Sequence, residues 1–267
     1  MEKYSFFNKY DGPIIDAHIH PFSEDFGENI NRFNKNRDVD YFFNHLKSCG
    51  VNAACGSVIE HGHATWETIV KCNQTALRLR DRYPNFYIPG IHIHGDFVEE
   101  SCNEIEKMYK VEGVRYIGEL IPYSMHNGDY NSDSFIEICK VAEKLNMPVN
   151  IHANLEDTYK LVESCPNLPI VLAHPWDGAA SDERIAYIAA HKNMYLDISG
   201  TGLFRYGMLK NAINKIGADR ILFGSDFSVC SVGMNIAGVL AEELTQKEFS
   251  MIFAENFCKL TNFKLSW

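Results

Sequence analysis

Histidine and aspartate residues stand at the ends of four short apolar segments of this chain. They are His18 and His20, His152, His174 and Asp226, and they end the segments 14–20, 148–152, 169–174 and 220–226. Parallel strands that each carry a polar residue at the C-terminal end bring those residues to one place. Imidazole nitrogens and carboxylate oxygens are common ligands of divalent metals. The pattern therefore predicts a divalent metal site and a metal-dependent enzyme.

The spacing of His18 and His20 supports this interpretation, because residues two apart in a strand point to the same face. Other roles are open for each residue: a histidine at the end of a buried strand can be a hydrogen-bonded core residue, and Asp226 could cap the helix after Val229. A buried carboxylate is costly unless it is paired or metal-bound, which favours the ligand role. Asp16 also points inward, and we expect it to pack or to hydrogen-bond the ring of His18.

Strand-like and helix-like segments alternate along the whole chain. Short apolar runs bounded by Gly, Pro or Asn indicate buried parallel strands. We predict strands at 13–19, 51–58, 86–93, 113–120, 147–152, 169–174, 193–198 and 220–225. Amphipathic helices are predicted at 38–49, 64–83, 97–110, 134–145, 154–164, 181–191, 206–216, 231–242 and 245–260, the sixth with an N-cap in Ser181-Asp182-Glu183.

Eight strands with intervening helices leave two architectures, a closed TIM-type (β/α)8 barrel or an open doubly wound sheet. An open sheet gathers its site between two strands, whereas here the candidate ligands, with Glu119 on strand 4 among them, lie on strands 1, 4, 5, 6 and 8. We therefore predict an α/β protein with a closed barrel, in a single domain spanning residues 1–267. The polar loops 21–37 and 121–133 are candidates for a lid or a substrate loop.

Composition sets limits on partners and location. The chain has 267 residues, 46% of them hydrophobic, and a net charge of −10, which argues against long nucleic-acid partners. Its eight cysteines form no CxxC pair and are expected to be free thiols. With no signal peptide or membrane span in the sequence, a cytoplasmic protein acting on a small molecule is expected. Oligomeric state is open, and a homo-oligomer is compatible with the sequence.

Several motifs together resemble the amidohydrolase superfamily, and within it the amidohydrolase-related branch that also contains decarboxylases. The motifs are Asp-Ala-His-Ile-His at 16–20, the histidine at 152, Ala-His-Pro-Trp at 173–176, Phe-Gly-Ser-Asp-Phe at 223–227 and Ala-Glu-Asn-Phe at 254–257. The resemblance covers about residues 13–262. It implies that His18, His20, His152 and Asp226 bind metal. It also implies that His174 either binds a second metal or polarises water or substrate.

One position departs from many superfamily members, which carry a carboxylated lysine on strand 4. This chain has Gly118-Glu119 there, which is similar to TatD-like hydrolases in which the glutamate bridges two metals. The resemblance implies a glutamate ligand shared by one set containing His18, His20 and Asp226 and another containing His152 and His174. Glu119 could instead pair with Arg115. One or two ions are therefore open, with zinc expected and manganese as the alternative.

The expected function is a metal-dependent hydrolase that uses metal-activated water to cleave a C–N or C–O bond of a small polar amide, lactone or ester. Asp226 would take the proton of the water and deliver it to the leaving group, and His174 would stabilise the oxyanion. Two alternatives are a metal-dependent decarboxylase of a small carboxylic acid and a TatD-like phosphoesterase or nuclease. A non-catalytic metal-binding protein is a further alternative.

For the other histidines the sequence leaves more than one role open. Five of them follow predicted strands and could contact substrate or support the site, although packing or loop roles are as compatible: His61, His63, His92, His94 and His126. Two lie in helical patterns and are expected at the surface or the core edge, His45 and His191. Trp176 could line the substrate cavity or belong to the core.

Overall fold

Eight short parallel strands form the centre of the molecule. The computed structural model describes residues 8–23, 37–60, 62, 64–125 and 128–265. The strands are β1 (Ile15–Asp16), β2 (Ala53–Ser57), β3 (Tyr87–Gly90), β4 (Ile117–Leu120), β5 (Val149–Ile151), β6 (Ile170–Ala173), β7 (Met194–Asp197) and β8 (Ile221–Leu222). Each of them lies within a predicted segment. The sequence therefore located all eight, although they are shorter than expected.

The strands close into a ring. Ladders join β1 to β3 in one set and β4 to β8 in another, in chain order. Two isolated parallel bridges connect the sets, one between Ile91 and Ile117 and one between Ile19 and Phe227. This arrangement confirms the (β/α)8 barrel and rules out the open sheet, because an open sheet would leave two unpaired edges.

Helices follow the strands and cover the outside of the barrel. They are α1 (Val39–Ser48), α2 (Trp66–Arg82), α3 (Val98–Lys110), α4 (Pro122–Met125), α5 (Asp133–Lys144), α6 (Tyr159–Ser164), α7 (Ala179–Ala190), α8 (Met208–Ile216), α9 (Val232–Ala241), α10 (Gln246–Ser250) and α11 (Asn256–Thr261). A π-helical segment, Met251–Glu255, joins the last two. Among the described residues, no helix combines the length and the apolar content needed to cross a bilayer.

The C-terminal segment closes the bottom of the barrel, which is the end where the strands begin. Ala254, Phe257 and Leu260 are buried in one cluster with strand residues such as Val171 and Leu222. Burial of apolar surface at roughly 25 cal/mol per Å² stabilises this plug. The opposite end, where the strands finish, is left for polar side chains and loops.

Two predicted helix caps differ from the structure. The predicted N-cap around Ser181 is wrong, because α7 begins at Ala179 after Gly178, whose φ of 60° directs the chain into the helix earlier. Asp226 does not cap α9, since the N-cap position there belongs to Ser231. All eight cysteines lie in the described residues and are free thiols, as expected.

Most of the predicted loop 21–37 lies outside the described residues, as do His61, His63 and His126.

Candidate metal centre

Glu119 is the centre of a compact group of histidines at the C-terminal end of the barrel. Its Oε2 lies 3.2 Å from Nε2 of His18 and 3.2 Å from Nε2 of His20. Its Oε1 lies 3.1 Å from Nδ1 of His152 and 3.3 Å from Nε2 of His174. Two triads of potential ligand atoms therefore share one carboxylate, each with its atoms within 4.8 Å of one another. The structure brings all five residues together.

Asp226 completes the group from the opposite side. Its Oδ1 lies 3.5 Å from Nε2 of His20 and 3.8 Å from Nε2 of His18. Its backbone N–H donates to the carbonyl oxygen of His18 at 2.8 Å, which fixes the end of β8 against the end of β1. All six predicted metal-site residues are thus neighbours. The alternative in which Glu119 pairs with Arg115 is wrong, since Arg115 donates to the carbonyls of Tyr109 and Val114.

Asp197, at the end of β7, supports His18 and was not singled out from the sequence. Its Oδ2 lies 2.5 Å from Nδ1 of His18, so Nε2 is directed at Glu119. Asn150 donates to the same carboxylate oxygen at 3.2 Å. A carboxylate behind a histidine fixes the tautomer and orientation of the ring and makes it a better ligand. The sequence signal that could have identified Asp197 is its place as an acidic residue at the end of an apolar strand.

Asp16 has a different role from the one expected. It accepts from the backbone N–H groups of His18 and Ser225 and from the Ser225 hydroxyl, so it joins the backbones of β1 and β8 rather than the ring of His18. Burial raises the pKa of Asp16 to about 7. The Phe-Gly-Ser-Asp motif requires glycine at position 224, because a Cβ on Gly224 would lie only 2.7 Å from the Cβ of His18.

Three residues at the site have left-handed backbone conformations, with φ of 66° at His174, 64° at Trp176 and 62° at Asp226. Such conformations cost about 1 kcal/mol or more for a residue with a Cβ. Non-glycine residues in this region cluster at functional sites, where the surrounding structure holds them. The backbone strain therefore marks the same side chains that the sequence motifs marked.

The charges of the cluster fit a bound cation. Burial alone would lower the pKa of the His18 imidazole, but Glu119 and Asp197 hold it well above its usual value. Burial would likewise raise the pKa of Glu119, but the His18 charge and hydrogen bonds from His152 and His174 hold it well below its usual range. The carboxylates thus attract positive charge to the point where the imidazole nitrogens meet. Oxygen and nitrogen ligands of this kind suit zinc or manganese.

A cavity of about 440 Å³ opens onto the cluster. Polar groups at its inner end are His20, Glu119, His152, His174 and Asp226. Apolar and aromatic side chains form much of the rest, namely Ile59, Ile121, Tyr123, Trp176 and Val229. Trp176 therefore lines the cavity, as one of the two sequence interpretations had it. Among the described residues that line this cavity there is no lysine or arginine.

The remaining described histidines lie outside this cavity. His92 is buried and its Nε2 donates to the carbonyl of Val58 at 2.8 Å. The backbone N–H of His94 donates to Ser101. His45 stacks on the ring of Phe227, and Nδ1 of His191 donates to the carbonyl of Tyr187. For these four residues the packing and loop roles are the ones observed.

Comparison with known proteins agrees with this geometry. The family model Amidohydro_2, described as amidohydrolase, matches residues 15–259. The chain belongs to the amidohydrolase family. The matched range includes every member of the candidate metal cluster and all eight strands of this amidohydrolase barrel. No curated protein sequence matches the chain at a significant level.

Solved structures of the same fold include several decarboxylases. A 2,6-dihydroxybenzoate decarboxylase from Rhizobium has a TM-score of 0.75 and 14% identity, over 94% of this chain and 99% of that one. A dihydroxybenzoic acid decarboxylase from a Polaromonas species, solved with manganese and the inhibitor 2-nitroresorcinol, has a TM-score of 0.72 and 15% identity, over 94% and 97%. A 5-carboxyvanillate decarboxylase from Sphingomonas paucimobilis has a TM-score of 0.72 and 12% identity, over 94% and 99%.

We expect Asp197→Asn to weaken binding of a divalent metal by about 10- to 100-fold, because an amide cannot hold the His18 ring with the same charge and tautomer. Equilibrium dialysis against Mn²⁺ or Zn²⁺ measures the change. The matched control is Asp219→Asn, an exposed aspartate next to the beginning of β8. Equal affinities in parent and Asp197→Asn proteins would contradict the role of Asp197.

Proposed function

We propose that this protein is a metal-dependent decarboxylase of small aromatic carboxylic acids. The observation that carries the proposal is the cavity, in which aromatic and apolar walls lead to one polar end that holds Glu119 and Asp226. A flat ring fits between such walls, and its carboxylate then meets the metal-binding cluster. Decarboxylases among the solved structures of the same fold add support. Hydrolysis, the function first expected from the sequence, stays a prediction.

We assign the ligands of the metal as follows. His18, His20, Glu119 and Asp226 form the first position, and Glu119 with His152 and His174 offers a second. When bound, a divalent cation would neutralise the substrate carboxylate and stabilise negative charge on its oxygen atoms. The described cavity residues include no lysine or arginine that could pair with a substrate carboxylate, which supports this assignment. Manganese, present in the Polaromonas relative, is as good a candidate as zinc.

Asp226 is the proposed proton donor. Its side chain reaches the cavity and is 12% exposed, and burial raises the pKa of its carboxyl group. Without a bound cation, the carboxyl group therefore retains a proton at higher pH than an ordinary aspartate does. In the reaction the proton bonds to the ring carbon that carries the carboxylate. The bond between that carbon and the carboxylate then breaks, carbon dioxide leaves, and the bonding electron pair returns to the ring.

His174 has two proposed roles that differ in what it contacts. Its Nδ1 lies 3.1 Å from the carbonyl oxygen of Ser199 and is held as a donor to it, so Nε2 faces Glu119 and the cavity. From there it either binds the second metal or donates a hydrogen bond to a substrate oxygen. In both roles it positions the substrate carboxylate next to Asp226.

Product analysis tests the proposal directly. Protein loaded with manganese or zinc is incubated with 2,6-dihydroxybenzoate, 5-carboxyvanillate and other hydroxylated benzoates, and carbon dioxide and the phenolic product are measured together. We expect equal amounts of both. A matched panel of esters, lactones and amides is assayed for new acid groups. Turnover confined to that panel would replace the decarboxylase proposal by the hydrolase alternative.

Trp176→Gly is expected to change the size of substrate that the protein accepts. Trp176 lines both the active cavity and a neighbouring cavity of about 400 Å³, so removing the indole should join them. Glycine suits the left-handed φ of 64° at this position. We expect the ratio of kcat/KM for two-ring over one-ring acids to rise about tenfold or more. The control is Tyr206→Ala, which enlarges the neighbouring cavity alone, and an unchanged ratio in Trp176→Gly would show that the indole does not separate them.

A further inference from the structure

Arg184 is a buried arginine on α7 whose hydrogen bonds go to backbone carbonyls. Its side chain is 2% exposed. Among the described residues no carboxylate lies within 4 Å of its guanidinium. Burial of a charged group is costly unless its hydrogen-bonding capacity is used. Burial lowers the pKa of Arg184 to about 9, so the guanidinium remains charged at neutral pH.

The hydrogen bonds of Arg184 go to the backbone beside two site histidines. Nη1 donates to the carbonyl of Ala153 at 2.9 Å, directly after His152. Nη2 donates to the carbonyl of Ala173 at 2.6 Å, directly before His174. A single planar side chain therefore joins the ends of β5 and β6. An arginine suits this task because its donors form a rigid fork.

These contacts begin where the strand ladder stops. The registered pairs between β5 and β6 end at Ile151 and Leu172. Beyond that point the two backbones have no ladder to fix their separation. The imidazoles of His152 and His174 nevertheless pack edge to face, with ring centroids 4.8 Å apart. Both rings also contact the same oxygen of Glu119.

Arg184 also contacts the wall of the cavity. Its guanidinium carbon lies 5.5 Å from the centre of the Trp176 ring, within the range of a cation–π contact. The same indole lies 5.9 Å from the ring of His152. Arg184 thus contacts the two backbones that carry the histidines and the aromatic residue beside them.

We propose that Arg184 is a positioning residue that sets the gap between the imidazoles of His152 and His174. It does this by tying together the backbones of β5 and β6 beyond the end of their ladder. The importance of this gap for activity rests on the proposed metal-dependent function. The positions of the two imidazoles can nevertheless be measured in metal-free protein. Arg184 itself does not line the cavity and does not contact the substrate.

Arg184→Met tests the proposal, because methionine fills much of the space but donates no hydrogen bond. Arg220→Met is the matched control. Arg220 also donates to backbone carbonyls, those of Ile188, His191, Met194 and Ile216, but at the end of the barrel where the strands begin. The first readout is the ring ¹H–¹⁵N spectrum of the histidines in metal-free protein, with the four site signals assigned by His18→Gln, His20→Gln, His152→Gln and His174→Gln.

We expect Arg184→Met to shift the ring signals of His152 and His174 while those of His18 and His20 stay close to their parental positions. Arg220→Met should leave all four unchanged. In protein loaded with Co²⁺, Arg184→Met should also alter the visible spectrum and weaken metal binding about tenfold or more. Parental ring signals for His152 and His174 in Arg184→Met would overturn the proposal.

Arg184→Lys covers the case in which Arg184→Met does not fold. Lysine keeps the charge but lacks the fork that holds two carbonyls at once. We expect the same two histidine signals to shift by a smaller amount, and their parental positions would overturn the proposal equally. The two hypotheses fail separately: a parent protein that binds metal but releases no carbon dioxide contradicts the decarboxylase function, whereas the ring signals decide the role of Arg184.

Discussion

Glutamine in place of Glu119 is expected to leave the protein almost free of divalent metal and without measurable turnover. Glu119 is 2% exposed, and its two oxygens contact all four imidazoles of the cluster. Loss of a residue that only supports a metal ligand typically lowers metal affinity by about 10- to 100-fold. Loss of a direct, shared ligand should therefore lower it by about a hundredfold or more. Elemental analysis of the purified protein and competition with a coloured chelator measure it.

Glu104→Gln is the matched control for this experiment. Glu104 is also a buried glutamate, 6% exposed, but it lies on α3 and accepts from Asn73 rather than from a histidine of the site. We expect it to keep parental metal content. Parental metal content in Glu119→Gln, with the protein folded, would show that Glu119 is not a ligand. That result would remove the shared carboxylate from the proposal.

The second large effect is expected from Asp226→Asn, which should lower kcat by about 10²- to 10⁴-fold while much of the metal affinity remains. An amide oxygen still faces His18 and His20, but asparagine cannot carry the proton that the ring carbon needs. Steady-state kinetics with a hydroxylated benzoate, together with metal analysis of the same sample, separate these two effects.

Asp177→Asn provides the comparison, because Asp177 lies in the loop after β6 and pairs with Arg205 at the surface. It should reduce kcat little. If Asp226→Asn kept its rate once metal was restored to saturation, Asp226 would act as a ligand alone. The proton would then have to come from another group.

Much of the fold could be predicted because it depends on patterns that are local in sequence. Each strand is a short apolar run with a clear boundary, and the even distribution of polar strand ends favoured a closed ring over an open sheet. The same pattern located His18, His20, His152, His174 and Asp226, since each lies within a few residues of the end of its own strand. The strand pattern alone does not mark Glu119; its position, where many members of the superfamily carry a lysine, does.

The supporting residues could not be predicted in the same way. Asp197 is hydrogen-bonded to a residue 179 positions earlier in the chain, and no spacing rule links them. Arg184 reaches back from a helix to two strand ends, so its sequence neighbours give no sign of its contacts. The misplaced N-cap at Ser181 has a similar cause. The left-handed conformation of Gly178, which the sequence does not reveal, starts the helix two residues earlier.

The left-handed backbone at His174 and Asp226 has a practical consequence for laboratory evolution. Variants chosen only for survival at high temperature are free to replace these two residues with glycine, because relaxed torsion angles increase stability whether or not the enzyme still works. Libraries for a heat-resistant catalyst should therefore leave both codons fixed. Diversity is better placed on the outward faces of the helices, and each round should include a screen for turnover.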